Sequence, residues 1–473
     1  MNEKRSKTNR SARSDRHWVE VRAQALDVLV RSESERLFVD EVLARTPADA
    51  DRRNRPLLQE MVYGVMRHSN TLDMLVDFYL KHPLAKQRPE VRAAMRIGAY
   101  QLVYLTKIPA HAAVYQTLEA LKSRPGLERS VVGFVNAILQ KLSADVRKKG
   151  PEPPDSDDDP TVLPIRYGFC HFHRPVLPLR RMDPVGHFAL KQSHPHWLVA
   201  RWLERFGEEE TCELCAVNNS IPRLIARVTS LAPSRDAVLD ALREEGVEVE
   251  PGALEDSVYL TRRGDPQNSP TLARGWIQIQ DETAIAIGSA LAPPAAARVV
   301  DLCAAPGGKA LQLFERVKDG GHLLALDRSA ERLVFVQETL ARVGTAFTTQ
   351  VAPEDPRQLD LGEQYSHILV DAPCSNTGVL ARRPEARWRI RRNDLDSLSE
   401  LQLQLLEAAY RHLRPGGRVL YSTCSIESEE NEAIVARLCN AHPDLTEVKT
   451  KLFLPHRTPG DGGYYSLLLR DAK

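Results

Sequence analysis

Two cysteines in the C-terminal third of the chain stand where an apolar strand pattern gives way to a loop. Cys374 follows the strand pattern at 367–370, and Cys424 follows the one at 418–422. A reduced thiol can act as a nucleophile and form a covalent intermediate. Upstream, the segment 300–309 reads Val-Asp-Leu-Cys-Ala-Ala-Pro-Gly-Gly-Lys, and its two glycines let the backbone approach a ligand closely. These segments predict a loop that holds a cofactor and two thiols that can form a covalent bond with a substrate.

The 300–309 loop differs from the phosphate-binding loops of nucleotide enzymes. A P-loop would need glycine where Cys303 stands and Ser or Thr where Ala310 stands, and the loop also lacks the glycine spacing of a dinucleotide site. Asp327 ends the next strand pattern, where a carboxylate can accept hydrogen bonds from ribose hydroxyls. We therefore expect a cofactor with a ribose and no pyrophosphate, such as S-adenosylmethionine. The alternative is a tight strand-to-helix turn without a ligand.

The elements that must position these residues alternate between strand and helix after Gln280. Apolar strand patterns cover 298–302, 322–326, 367–370 and 418–422. Such alternation predicts a doubly wound parallel sheet, whose ligands bind at the carboxyl ends of the strands. Both thiols and the 300–309 loop are therefore expected at one edge of the sheet.

The first third of the chain has only helical patterns. Apolar residues recur at helical spacing in six stretches: 18–31, 55–67, 71–80, 92–104, 112–122 and 131–142. They predict an all-helical domain. The run from Arg147 to Pro160 is too charged and proline-rich to bury anything, so we expect a linker or disordered insertion there, and irregular sequence continues to about Lys191. Mixed helix and strand patterns from Ser193 predict a small α+β module.

The net charge of +1 conceals an asymmetry. Residues 1–150 carry 27 Lys and Arg against 17 Asp and Glu, a charge of +10, which leaves 37 against 46, or −9, for the rest. A basic domain is typical of a protein that binds a polyanion, although a merely soluble basic surface is the alternative. The chain has no run of eighteen apolar residues and no apolar core at its basic start, so we expect neither a membrane span nor a secretory signal. Seven cysteines in 473 residues favour reduced thiols and a cytoplasmic location.

An arginine-rich segment lies between the two thiols, at 382–392. It has six arginines and one tryptophan, a composition that can grip phosphates and stack on an unpaired base. The candidates for RNA contact are Arg382, Arg383, Arg387 and Trp388. A solvated basic loop is the alternative.

Several motifs carry a resemblance to a known family. The segments 301–309, 371–379, 421–425 and 429–432 strongly resemble the RNA 5-methylcytosine methyltransferases. The upstream segments 96–101, 108–114 and 133–139 look like the NusB-type RNA-binding domain of the branch called RsmB, Sun or Fmu, which methylates small-subunit ribosomal RNA. Asn376 stands where that family usually has glycine, and Pro353-Glu354-Asp355-Pro356 departs from its usual Gly-Asp-Ala.

The resemblance implies a Rossmann-like S-adenosylmethionine-dependent α/β methyltransferase domain preceded by a small α+β module and an all-α NusB-like domain. The expected parts are a basic disordered tail (1–16), the NusB-like RNA-binding domain (17–146), the acidic, proline-rich linker or insertion (147–192), the α+β RNA-binding module (193–285) and the methyltransferase domain (286–473). The implied partner is RNA, either 16S ribosomal RNA or a small-subunit assembly intermediate. We expect a monomer with no membrane association and no obligate protein partner.

The resemblance also implies the site residues and their chemistry. Cytosine C5 is a weak nucleophile, and addition of a thiolate to C6 turns the ring into an enamine that can take a methyl group. The implied catalytic residues are Cys424 as nucleophile, Cys374 in product release, and Asp371. The implied cofactor contacts are Cys303, Ala304, Ala305, Pro306, Gly307, Gly308, Lys309, Asp327, Asp355 and Asp371. Spacing alone does not choose between the thiols, because DNA cytosine methyltransferases use the thiol of a Pro-Cys segment, which here is Cys374.

Other interpretations stay open at this point. Cys212 with Cys215, and Cys170 with His171 and His173, could in principle supply a four-ligand zinc site, but we expect buried or loop side chains and no metal. A transfer RNA substrate is an alternative within the class. A noncatalytic RNA-binding assembly factor is the alternative from a different class.

Overall fold

The computed structural model describes residues 2–46, 54–156, 158–261 and 268–472. The chain divides into two units. The first comprises Met1–Ser220 with Arg383–Trp388, and the second comprises Ile221–Arg382 with Arg389–Lys473. No helix within the described residues is long and apolar enough to cross a membrane.

In its described residues the first unit begins with the helices α1 (Asn2–Ser34), α2 (Val39–Arg45), α3 (Arg55–Arg67), α4 (Ser69–Asp77), α5 (Pro89–Val103), α6 (Ala110–Lys122) and α7 (Arg129–Asp145). A 3-10 turn, Leu84–Lys86, precedes α5. The apolar residues that recur at helical spacing in the sequence form the core of these helices. Val21 and Ala25 of α1 and Met61 and Val62 of α3 are all fully buried. Helix α1 begins inside the segment 1–16 for which we expect a disordered tail, and the side chains of that segment lie outside the described residues.

The expectation of a linker or insertion over 147–192 is wrong outside its charged, proline-rich run. Three strands, β1 (Val146–Gly150), β2 (Val162–Ile165) and β3 (Gly168–Phe172), form an antiparallel sheet in the order β1-β3-β2. Leu163 and Cys170 are fully buried in the core of the helical unit. The charged, proline-rich residues 151–156 remain largely exposed between β1 and β2. The short apolar strands beyond that run give too little periodic signal to be recognised.

Three further helices follow in the first unit: α8 (Pro184–Lys191), α9 (His196–Phe206) and α10 (Glu208–Asn218). The second unit begins with a small antiparallel sheet and its helices: β4 (Leu224–Val228), α11 (Arg235–Glu244), β5 (Val249–Pro251), β6 (Ser257–Leu260), α12 (Pro270–Ala273), β7 (Ile277–Ile279) and α13 (Glu282–Ala290). The strand order is β5-β6-β4-β7, and Val258 and Leu242 belong to its buried core. This is the predicted α+β module.

The second unit continues with a larger sheet and its helices, in chain order: β8 (Arg298–Asp301), α14 (Gly308–Val317), β9 (His322–Asp327), α15 (Ala330–Ala341), β10 (Phe347–Val351), β11 (Tyr365–Asp371), α17 (Asp394–His412), β12 (Leu413–Thr423), α18 (Glu432–Ala441), β13 (Leu445–Phe453) and β14 (Gly463–Arg470). Between β11 and α17 in the sequence, helix α16 (Ala386–Arg389) lies mostly in the segment Arg383–Trp388 of the first unit. Two 3-10 turns, Pro356–Gln358 and Ser428–Glu430, lie among them.

The larger sheet has seven strands in the order β10-β9-β8-β11-β12-β14-β13. The first five are parallel, and β14 joins antiparallel to β12 and β13. Val299, Val300, Ile368 and Leu369 in the central strands are fully buried, as expected when helices cover both faces. The predicted doubly wound fold is confirmed.

Candidate active site

The carboxyl ends of four parallel strands form one edge of the large sheet. Asp301 ends β8, Asp327 ends β9, Asp371 ends β11 and Thr423 ends β12. Strand β8 lies between β9 and β11, so the strand order reverses at β8. In open α/β sheets, ligands bind at such a switch point.

The two thiols meet at this edge. Asp371 pairs with Ser422 in the register of β11 and β12, which brings the following turns side by side. The sulfur atoms of Cys374 and Cys424 lie 3.0 Å apart, and both cysteines are free and partly exposed. The pKa of the Cys374 thiol is raised well above its ordinary value, first by the contact with Cys424 and then by burial. Cys374 therefore holds its proton at neutral pH while Cys424 is beside it.

Asn376 links the two turns. Its side-chain Nδ2 donates to the carbonyl of Cys374 at 2.8 Å, and its Oδ1 accepts from the sulfur of Cys424 at 3.2 Å. Its φ of 63° is left-handed, a region that glycine adopts freely and asparagine tolerates better than most residues. Asparagine in place of the glycine that the resembled family usually has here keeps the turn, and it adds one contact to the Cys374 backbone and one to the Cys424 thiol.

An ion pair lies beside the thiols. The ammonium of Lys309 donates to Asp371 Oδ2 at 2.7 Å, and Ser422 Oγ donates to Asp371 Oδ1 at 2.7 Å. Burial by itself lowers the pKa of Lys309, but Asp371 and the nearby Cys424 raise it overall. Lys309 is therefore a fixed positive charge at the point where β8 and β11 end.

The turn after β8 is held by carboxylates. The amide of Cys303 donates to Asp301 Oδ1 at 3.2 Å, and the amide of Ala305 donates to Asp327 Oδ2 at 3.2 Å. Gly307 precedes α14 with a φ of 113°, a conformation that requires glycine. Burial and then Asp371 raise the pKa of Asp301 to about 8. The turn is thereby fixed before any ligand arrives.

These residues fit S-adenosylmethionine. Asp327 ends β9, where a carboxylate can accept hydrogen bonds from the ribose hydroxyls of a cofactor. The Gly307–Gly308 turn leaves room beside the backbone, since the atoms nearest to a Cβ added to Gly308 belong to the Gln280 side chain, at 3.6 to 3.8 Å. Cofactor contacts at Cys303, Ala304, Ala305, Pro306, Lys309 and Asp371 share this edge, and we retain them as proposals.

Asp355, the remaining residue expected to contact the cofactor, pairs with Arg357, two residues further along the chain. Its carboxylate accepts from the backbone amide and from the guanidinium of Arg357, at 2.9 to 3.1 Å, and it caps the 3-10 turn Pro356–Gln358. These hydrogen bonds hold the pKa of Asp355 below its usual value. The carboxylate thus stabilises its own turn.

The arginine-rich segment differs from expectation at Arg387. This side chain is fully buried, and its guanidinium donates to the carbonyls of Ser193 and Asn218, both at 3.0 Å, and to Asn219 Oδ1 at 2.8 Å. A phosphate contact at Arg387 is therefore incompatible with this fold. Burial lowers its pKa to about 9.

The other candidates of that segment also have partners within their own unit. The indole N–H of Trp388 donates to the carbonyl of Met66 at 2.6 Å. The guanidinium of Arg383 lies over the ring of Phe38, 4.7 Å from its centroid.

In the second unit, Arg382 pairs with Asp281 at 2.8 Å and also with Asp461. Arg391 and Arg392 of the same segment are exposed. Composition alone could not separate the arginines that the fold buries from those that it exposes.

Sequence reasoning missed the role of one buried carboxylate. Glu430 is fully buried, and its oxygens accept from Ser375, Ser425 and Gln402. The Glu429–Glu432 run contributes to the resemblance, but its spacing gives no sign that the second glutamate points inward.

No group of three or more His, Cys, Asp or Glu side chains that could hold a metal occurs within the described residues. Cys170 and His171 lie on β3, whereas Cys212 and Cys215 lie on α10. Burial raises the pKa of Cys170 to about 12, as expected for a core thiol.

Comparison with known proteins agrees with this architecture. Three family models match the chain: "16S rRNA methyltransferase RsmB/F" at 288–468, "NusB family" at 19–144 and "Methyltr_RsmF/B-like, ferredoxin-like domain" at 194–266. The crystal structure of PH0851 aligns with a TM-score of 0.77 and 24% identity, over 95% of this chain and 98% of that one, which shows the shared fold.

Curated relatives match over most of their length. The probable ribosomal RNA small subunit methyltransferase B of Bacillus subtilis is 30% identical over 430 residues, which are 90% of this chain and 89% of the relative. The ribosomal RNA small subunit methyltransferase B of Vibrio cholerae is 32% identical over 88% of this chain and 89% of its own. The chain belongs to the ribosomal RNA small subunit methyltransferase B family of S-adenosylmethionine-dependent RNA methyltransferases.

Proposed function

We propose that this chain transfers a methyl group from S-adenosylmethionine to C5 of a cytosine in 16S ribosomal RNA, through a covalent bond between Cys424 and C6. One observation carries the proposal: two free thiols lie 3.0 Å apart beside the Lys309–Asp371 ion pair, at the switch point of a methyltransferase sheet. Ordinary transfer to oxygen or nitrogen needs no thiol, whereas C5 needs a nucleophile at C6. The names of the relatives support the RNA substrate.

In this proposal Cys424, Lys309 and Cys374 each have a separate role in the reaction. The thiolate of Cys424 adds to C6, and the electron pair of the C5–C6 double bond makes C5 nucleophilic. S-adenosylmethionine, when bound, would supply a methyl group on a positively charged sulfur; C5 would take that methyl group, and the sulfur would keep the bonding pair. The ammonium of Lys309 stabilises the negative charge that the ring gains on addition.

Cys374 completes the reaction in this proposal. Contact with Cys424 is the largest cause of the raised pKa of Cys374, and that contact changes once Cys424 is bonded to C6. Cys374 can then lose its proton to solvent and accept the proton of C5. The C5–H pair re-forms the double bond as the Cys424–C6 bond breaks, and Cys424 leaves as a thiolate. The target base must be unstacked to meet both groups, so we expect a cytosine in a loop or single strand. Arg391 and Arg392 are candidates for phosphate contacts near it.

The function is tested with the purified protein, S-adenosylmethionine and either 16S ribosomal RNA or transfer RNA. We expect 5-methylcytidine in nuclease digests of the ribosomal RNA, measured by mass spectrometry. Methylation of the transfer RNA alone would show that the substrate is transfer RNA and not 16S ribosomal RNA. Absence of methylation in both RNAs, and in partly assembled small subunits, would favour a noncatalytic assembly factor.

The roles of the thiols are tested separately. Cys374→Ala, with RNA and cofactor, is expected to accumulate a protein–RNA adduct that survives denaturing electrophoresis, because release is blocked. Cys424→Ala is expected to form none. The reverse pattern would assign the nucleophile to Cys374.

A further inference from the structure

Glu430 is a buried charge that the mechanism above does not use. It ends the 3-10 turn Ser428–Glu430 and is fully buried. Burial of a carboxylate is costly unless its oxygens are well hydrogen-bonded. Burial does raise the pKa of Glu430, and its hydrogen bonds offset part of that effect. A group retained at such a cost needs a structural or catalytic reason.

The hydrogen bonds of Glu430 connect the two thiol turns. Oε1 accepts from the backbone amide of Ser375 at 2.8 Å, and Oε2 accepts from the hydroxyls of Ser375 and Ser425. Ser375 directly follows Cys374, and Ser425 directly follows Cys424. One carboxylate thus binds the residue next to each thiol.

Gln402 anchors the carboxylate from α17. Its Nε2 donates to Glu430 Oε1 at 3.0 Å and to the carbonyl of Pro373 at 2.9 Å. Pro373 precedes Cys374, so the Cys374 turn is held on both sides of its thiol. The hydroxyls of Ser375 and Ser425 are also 3.0 Å from each other.

We propose that Glu430 is a positioning residue that sets the distance between the Cys374 and Cys424 sulfurs by holding Ser375 and Ser425 on one carboxylate. The turns follow different strands, and each thiol must reach its own carbon of one cytosine ring. A displacement of about 1 Å at such a site can cost about 100-fold in rate. The inference rests on the proposed cytosine chemistry for its kinetic consequence, while the geometric part stands without it.

The charge of Glu430 acts in the same direction. It contributes, after Cys424 and burial, to the raised pKa of the Cys374 thiol. A nearby negative charge favours the protonated thiol, so it keeps Cys374 from competing with Cys424 as the nucleophile.

The first test measures the proximity of the thiols without RNA. One thiolate attacks dithiobis(nitrobenzoate) and releases one thionitrobenzoate. The second thiolate displaces the other thionitrobenzoate and leaves a Cys374–Cys424 disulfide, identified by peptide mass spectrometry. Glu430→Ala is expected to slow the second step at least about tenfold. Glu430→Gln keeps an acceptor for Ser375 and Gln402, and should stay within about threefold of wild type. Glu432→Gln, at an exposed neighbouring carboxylate, is the matched control at the wild-type rate.

The second test separates positioning from folding. For methylation of RNA, Glu430→Ala is expected to lower kcat about 100-fold with little change in KM, and Glu430→Gln to restore most of it. In a Cys424→Ala background, Glu430→Gln should move the pH midpoint for alkylation of Cys374 downward, because a negative neighbour is gone.

Closure of the disulfide at the wild-type rate in folded Glu430→Ala would overturn the proposal, as would an unshifted alkylation midpoint together with unchanged kcat. If Glu430→Ala does not fold, the Ser375→Ala/Ser425→Ala double variant decides by the same closure rate. Should wild type fail to methylate any RNA while Glu430→Ala still slows disulfide closure, the proposed function fails and the positioning role stands.

Discussion

Two turns at the same sheet edge each present a thiol, and their surroundings are opposite. Around Cys303, burial and then the charges of Asp301 and Asp371 raise the pKa of the thiol far above its ordinary value. Cys424 contacts Cys374 and lies near enough to Lys309 to raise the pKa of that ammonium. A strand end makes a thiol available, but its charged neighbours decide whether it becomes a nucleophile.

The sharpest way to break this comparison is to remove the thiol beside the ammonium. Cys424→Ala is expected to lower single-turnover methyl transfer by more than about 10⁴-fold, since the covalent route is lost. Cys439→Ala, on α18, is the control and should match wild type. Substantial transfer by Cys424→Ala would contradict the asymmetry.

The next largest effect on methyl transfer is expected from removing the ammonium of Lys309. Lys309→Met leaves the Asp371 carboxylate without its cation and should lower kcat about 100-fold, a loss typical of one charge-stabilising group. The comparison is with Lys318→Met, at the other end of α14, measured under the same saturating RNA. Equal rates for the two variants would show that the positive charge is not needed.

Asp301 gives a pH signature for the carboxylate-rich turn. Its pKa of about 8 in the folded protein exceeds the value of about 4 of an unfolded aspartate. Its stabilising contribution is therefore present below pH 4 and is lost as the pH rises through 8.

Between pH 5 and pH 8, the free energy of unfolding of wild type should fall relative to that of Asp301→Asn, by up to about 1.4 kcal/mol per pH unit. Denaturant unfolding at each pH checks this, and parallel curves would refute it.

The smallest effect is expected at the first thiol. Cys303→Ala should keep methyl transfer within about threefold of wild type, because a thiol with so high a pKa is not ionised at neutral pH. Slow alkylation of Cys303, compared by peptide mass spectrometry with that of Cys424, is the matching measurement. Rapid alkylation of Cys303 would remove the contrast between the two turns.

Much of the fold can be predicted from the sequence because buried residues recur with the spacing of the helix or strand that they belong to. The helical spacing that buries Val21 and Met61 and the apolar runs of β8 and β11 were enough to predict a helical first region and a doubly wound sheet. The strands β1 to β3 were not predictable, since they are short and an exposed charged run separates β1 from β2 and β3.

The arrangement of the candidate site could be predicted where it depends on local sequence and not where it depends on tertiary contacts. Cys374 and Cys424 follow strand ends, so parallel pairing alone brings them together. Arg387 and Glu430 look like surface charges in the sequence, because nothing local tells that a guanidinium meets the carbonyl of Ser193 or that a carboxylate meets Ser375 and Ser425.

The carboxylate of Glu430, which Ser375 and Ser425 share, also limits which substitutions evolution can accept at these positions. Because Glu430 binds both serines, a substitution at Ser375 changes the partner available to Ser425, although 50 residues separate them. Among relatives, residues at these three positions should therefore vary together. A chimaera that exchanges one thiol turn with a relative should work only when the other turn and the residue at position 430 are exchanged with it.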